Sequence, residues 1–102
     1  MYRYTTPTLP VTIEDVNFSE VDFFRVALQI GATQLLFVVP ADDASVDPQT
    51  HTIYISLTQE QTASLATGMA KIQARIKYSS GSVQATNKAT VTIDDVLDQV
   101  II

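Results

Sequence analysis

A chain of 102 residues, 46% apolar and only 17% charged, is sized for one domain with a modest core; its formal charge of −5 makes nucleic-acid binding depend on a strong local basic patch. The absence of cysteine excludes a disulfide framework and leaves packing, or assembly with partners, to supply stability. No run approaches the roughly 20 apolar residues of a membrane span, and Met1-Tyr2-Arg3-Tyr4-Thr5-Thr6-Pro7 has no apolar stretch behind its Arg, so neither a span nor a signal peptide is expected.

In chain order, Thr5 to Pro10 comes first. Pro7 and Pro10 remove two backbone donors and hold their predecessors extended, as suits an edge strand or an arm. Val11-Thr12-Ile13-Glu14-Asp15-Val16 follows and returns almost unchanged as Val91-Thr92-Ile93-Asp94-Asp95-Val96. Both copies pass from a Thr-rich apolar strand into an acidic turn, so each is expected where a strand leaves an equivalent edge of one β domain. Without a third copy this is no repeat array. Asp22 to Ile30 alternates, with Phe24, Val26, Leu28 and Ile30 on one face and Phe23, Arg25, Ala27 and Gln29 on the other. After a turn at Gly31-Ala32 comes Thr33 to Val39. Its run Leu35-Leu36-Phe37-Val38-Val39 calls for burial on both sides, or one face in the core and one against a partner, and Pro40 ends it.

Ala41 to Gln49 reads as the longest polar loop. Asp42, Asp43 and Asp47 offer oxygen ligands, yet the ladder, central Gly and terminal Glu of a calcium loop are missing. His51 then opens a strand in which Ile53, Ile55 and Leu57 alternate with Thr52, Tyr54 and Ser56. As a lone His with no Cys or Ser-Asp arrangement nearby, it reads as a surface or edge residue. Thr58 and Gln61 have the spacing of a capping box, which predicts a short connecting helix over Gln59 to Thr67, closed by Gly68 in a left-handed conformation. Met69 to Tyr78 alternates again, with Ala70, Ile72, Ala74, Ile76 and Tyr78 inward and Met69, Lys71, Gln73, Arg75 and Lys77 outward. Ser79-Ser80-Gly81-Ser82 turns the chain into Val83 to Ile93, where Val83, Ala85, Ala89, Val91 and Ile93 are expected inward and Asn87 marks a bulge or edge hydrogen bond. Asp94 is expected to cap a last helical turn, and Val100-Ile101-Ile102 to dock in the core or against another protein.

Six or seven strands and one short helix, each strand needing a second layer for its apolar face, predict an all-β, immunoglobulin-like two-sheet β-sandwich. Residues 1–102 then form a single domain with an N-terminal extended arm and an apolar C-terminal tail. A small barrel is the alternative, and the Cys pair and buried Trp of antibody domains are absent.

Little in the chain points to catalysis. Glu14-Asp15, Asp42-Asp43 and Asp94-Asp95 fall in expected turns, there is one histidine, and Gly31, Gly68 and Gly81 are isolated, so no catalytic, cofactor or metal residues are assigned. Lys71, Arg75 and Lys77 read as a solvated face rather than a phosphate or nucleic-acid site. What remains is a low-charge, Thr-rich surface with candidate protein contacts at Leu36, Val38, Tyr2, Tyr4, Tyr54, Ile101 and Ile102. Leu36 and Val38 carry the sharpest expectation, since the set Leu35, Phe37 and Val39 takes the core and leaves them for the short helix or another subunit to cover. The four tyrosines also offer stacking faces for a carbohydrate or host-surface ligand.

The segments Tyr2 to Thr8, Ile53 to Thr62, Lys71 to Ile76 and Asp95 to Ile101 together resemble small β-sandwich proteins from the tail-gene regions of Firmicutes phages and prophages, in the style of the N-terminal domain of lactococcal-phage upper baseplate proteins. The resemblance implies a non-enzymatic virion or baseplate component. Its partners would be further copies of itself or other tail proteins, in the virion or, before assembly, in the host bacterial cytoplasm. It carries no catalytic residue, and the long helical stalk of the baseplate protein has no counterpart here.

Overall fold

Period-2 alternation organises the protein into two β-sheets, with one short α-helix in one of the connections between them. The computed structural model describes residues 1–40 and 44–102. Its strands are β1 (Thr8–Thr12), β2 (Val21–Ile30), β3 (Thr33–Val39), β4 (Ala44–Asp47), β5 (Thr52–Ser56), β6 (Gly68–Tyr78), β7 (Val83–Ala85) and β8 (Ala89–Ile93), with helix α1 (Gln59–Ala63) between β5 and β6. One sheet has the order β1-β5-β4; the other runs β3-β2-β6-β7, with β8 also paired to β6. Every strand pairing is antiparallel.

The core follows the apolar alternation. Phe24, Val26 and Leu28 of β2 are buried beside Phe37 and Val39 of β3 and Ala70, Ile72, Ala74 and Ile76 of β6. Ile53, Ile55 and Leu57, from β5 and the residue after it, join the same hydrophobic cluster from the smaller sheet. Burying a side chain of this size contributes about 1.5–3 kcal/mol relative to leaving it exposed, so these faces fix the register of the strands that carry them.

Several expectations need correction. Ala41 to Gln49 is not wholly a loop: residues 41–43, including Asp42 and Asp43, lie outside the described residues, but Ala44–Asp47 is a strand whose Ala44 and Val46 pair with Ile55 and Ile53 on the core side. Helix α1 ends at Ala63 rather than Thr67, because the Ser64 hydroxyl donates to the Gln61 carbonyl at 2.6 Å and Leu65, 1% exposed, turns into the core. Gly68, with φ +125°, opens β6 opposite Ile93 instead of closing the helix. No helical turn follows Asp94, which forms a parallel bridge with Tyr2. The apolar end is not in the core, since Ile102 is 93% exposed.

The expected last strand is broken in two, and half of it faces the other way. Residues 89–93 pair with β6 in one register and residues 83–85 in another, one residue out of step. At the break, Thr86 N–H donates to the Ala74 carbonyl at 2.9 Å, while the Thr86 hydroxyl accepts from Ala74 N–H at 3.1 Å where a backbone carbonyl would ordinarily accept. The extra residue inverts the faces. Val91 and Ile93 therefore look inward as expected, whereas Val83 and Ala85 lie outward, opposite Lys77 and Arg75.

The near-repeated segments do end edge strands, β1 in one sheet and β8 in the other, and Ile13 and Ile93 are both buried just where each strand gives way to acids. The capping box at Thr58 is complete: its hydroxyl accepts from Gln61 N–H at 3.1 Å and the Gln61 side chain accepts from Thr58 N–H at 2.9 Å. One turn on, the fully buried Thr62 hydroxyl accepts from Thr5 N–H at 3.1 Å and donates to the Thr5 carbonyl at 2.9 Å, tying the N-terminal residues to α1. Thr62→Val keeps the shape and removes both bonds; it should lower the unfolding free energy by about 1–3 kcal/mol in urea titration, with Thr62→Ser losing much less.

Candidate protein-contact surface

Outward residues of the larger sheet come together by register. On the β2–β3 side Leu36 is opposite Ala27 and Val38 opposite Arg25; on the β2–β6 side Arg25 is opposite Arg75, Gln29 opposite Lys71 and Phe23 opposite Lys77. Ala85 and Val83 continue these rows next to Arg75 and Lys77. Leu36 is 52% exposed and Val38 48%, so the short helix does not seal them. Arg25, Lys71, Arg75 and Lys77, four of the six basic residues, share this face, and the acid that the described strands of this sheet carry is Asp22, at the register shift between Val21 and Phe23. The ion pair among the described residues lies elsewhere, between Arg3 and Asp95.

Two like charges directly opposite in an antiparallel pair repel, and among the described residues no ion pair reaches Arg25 or Arg75. With β3 at the edge of the sheet and paired only to β2, a seven-residue strand bearing two exposed apolar side chains lies next to this cationic patch. Such an arrangement suits a partner that is both apolar and acidic.

The other expected contacts are not gathered at this face. Tyr54, opposite Pro10 and Ser45, belongs to the outer face of the smaller sheet, among Thr and Ser side chains. Tyr2 and Tyr4 lie near the end of β8, where Arg3 N–H donates to the Asp94 carbonyl at 2.9 Å. Tyr2 is exposed; Tyr4 is half-buried, with φ 58° and the Arg3 guanidinium 5.2 Å from its ring centre, so it is less available than expected. Ile101 and Ile102 are exposed at the end of the segment that follows β8. Arg25 is the residue of this face that the sequence did not single out as a candidate contact. Its alternation with Val26 already puts it on the outward side, but its opposition to Arg75 depends on a pairing register that no local pattern encodes.

A groove of about 520 Å³ opens elsewhere, between the Ile13–Val16 turn and the Thr86 bulge, and is lined in part by Glu14, Asp15, Gln73, Gln84 and Asn87. Tyr78, half-buried as its alternation implied, donates to Gln84 at 2.7 Å nearby. His51 sits in a turn at φ 52° with its ring edge-on to Phe18 at 5.2 Å. Among the described residues no group of three or more His, Cys, Asp or Glu is placed to hold a metal ion, and no helix is long and apolar enough to cross a membrane.

Arg75→Glu turns a repelling cross-strand pair into an attracting one, and should raise the unfolding free energy of dilute monomer by up to about 1 kcal/mol in urea titration. Compared with known proteins, the chain matches no family model and no curated protein.

Proposed function

We propose that the protein is a non-enzymatic assembly domain of the phage or prophage tail and baseplate type, acting through the outer face of its larger sheet. The observation that carries this is the union on one face of exposed Leu36 and Val38 with four cations that form no ion pair among the described residues, in a chain that is acidic as a whole. A soluble surface gains nothing from opposing Arg25 to Arg75, whereas an acidic partner relieves the repulsion. The phage assignment rests on the resemblance carried by the four segments Tyr2 to Thr8, Ile53 to Thr62, Lys71 to Ile76 and Asp95 to Ile101. Virion, or host cytoplasm before assembly, is the corresponding location, with partners drawn from further copies or other tail proteins.

We also infer an immunoglobulin-like sandwich. The sheet orders β1-β5-β4 and β3-β2-β6-β7/β8 read as strands B, E, D and C′, C, F, G of that fold, with α1 in the E–F connection. Both sheets contribute to one hydrophobic cluster, as a sandwich requires. A second reading, a host-surface or carbohydrate-binding module, draws support from the groove with its amide and carboxylate side chains, which suit sugar hydroxyls. A glycan array without signal above background removes it.

The assembly function is tested by sedimentation over a range of concentrations and by retention on the tail proteins encoded beside this chain. Leu36→Asp with Val38→Asp should abolish association or retention while leaving the circular dichroism and thermal unfolding of a folded domain, because Phe37 and Val39 still fill the core. A strict monomer retained on no tail protein overturns the proposal.

A further inference from the structure

We propose that the segment Asp94–Ile102 of one copy docks on the outer face of the larger sheet of a second copy, so that the protein assembles head to tail. This rests on the assembly function above and names its partner and both halves of the contact. The receiving face sets Leu36 and Val38 beside Arg25, Arg75 and Lys71. The donating segment is complementary in both respects. Asp94 and Asp98 supply charge, while Leu97 is fully exposed at 106% and Val100 and Ile102 are exposed beside it.

The segment is also held ready. At its start Arg3 Nη1 donates to both Asp95 carboxylate oxygens at 3.2 Å. At its end the Gln59 side-chain amide pairs with the backbone of Ile102, donating to its carbonyl at 2.6 Å and accepting from its N–H at 2.9 Å. Within it, Gln99 Nε2 donates to Asp95 at 2.9 Å. A loop pinned at both ends presents Leu97 and Asp98 with much of the ordering cost of binding already met.

Both anchors lead to α1, since Arg3 Nη2 donates to the Ala63 carbonyl at 2.8 Å and Gln59 is the first residue of that helix. They tether the segment to the connection between β5 and β6 instead of laying it across its own outer face, which leaves that face to another molecule. Donor and receiver are different surfaces, so the contact is heterologous and propagates into a ring or filament. Opposite charges steer it and apolar side chains hold it.

Because the chain has no cysteine, cross-linking is free of background. Leu36→Cys and Leu97→Cys proteins are mixed and oxidised, and the disulfide-linked species identified by mass spectrometry. The 36–97 heterodimer should dominate, and should fall roughly tenfold when the Leu36→Cys copy also carries Arg75→Asp. In parallel, Arg75→Asp and Asp98→Arg proteins should each sediment as monomers, and their mixture should reassemble. Circular dichroism and urea unfolding confirm that each variant is folded. If Leu36→Cys bridges only to itself, or Arg75→Asp assembles undiminished, the segment is not the occupant and this inference fails while the assembly function stands. The inference also fails alone if the protein is monomeric but retained on tail proteins. If it is monomeric, unbridged and retained on none, both fail.

Discussion

The pairing of β2 with β6 is the constraint from which the rest of the surface follows. Phe24, Val26 and Leu28 face the core opposite Ile76, Ala74 and Ile72, and slipping β2 by one residue would bring all three to solvent, a loss of about 5–9 kcal/mol. Against that, a like-charge pair on the opposite face costs at most about 1 kcal/mol. The core therefore dictates the register, and the register imposes Arg25 on Arg75. The strain belongs to the outward face because the inward face leaves no alternative.

The Thr86 bulge extends that face. Without the extra residue, β7 would carry Val83 and Ala85 inward, where β1 and the Ile13–Val16 turn leave an open groove rather than a packed layer. With it, both side chains join the cationic rows, and the Gln84 side chain takes the inward position beside the groove. The Thr86 hydroxyl satisfies the Ala74 N–H that the break would otherwise strand, so the inversion leaves no unpaired donor there. A threonine rather than a valine at this point allows one edge strand to serve two faces.

Alternation, capping and turn chemistry made β2, β3, β5 and β6 legible in the sequence, because each is decided by neighbours two to four residues away. The capping box was legible for the same reason. Three features were not. A bulge was legible at Asn87, next to the Thr86 break, but the inversion of Val83 and Ala85 depends on one residue gained relative to β6, which the odd-numbered pattern Val83, Ala85, Ala89, Val91, Ile93 conceals. Strand β4 carries only two inward side chains, Ala44 and Val46, and its identity comes from Ile53 and Ile55 across the ladder. The length of α1 is set by Leu65 entering the core before Gly68 is reached. Of the surface, Leu36, Val38 and the three cations of β6 could be placed on outward faces from the sequence, but their union with Arg25 needed the strand order.

Charge is distributed on this molecule with a direction. An acidic chain concentrates four of its six bases on one sheet face and sets three of its acids, Asp94, Asp95 and Asp98, in the segment at and after the end of β8, where Asp95 is held by Arg3. Exposed apolar side chains accompany both signs, Leu36 and Val38 with the cations and Leu97 with the anions. An apolar patch alone would associate with many surfaces; opposite charge beside each patch penalises pairing of like with like, face to face or segment to segment. In the proposed assembly, what the monomer loses in stability by opposing Arg25 to Arg75 would return as a bias in favour of a partner that brings carboxylates.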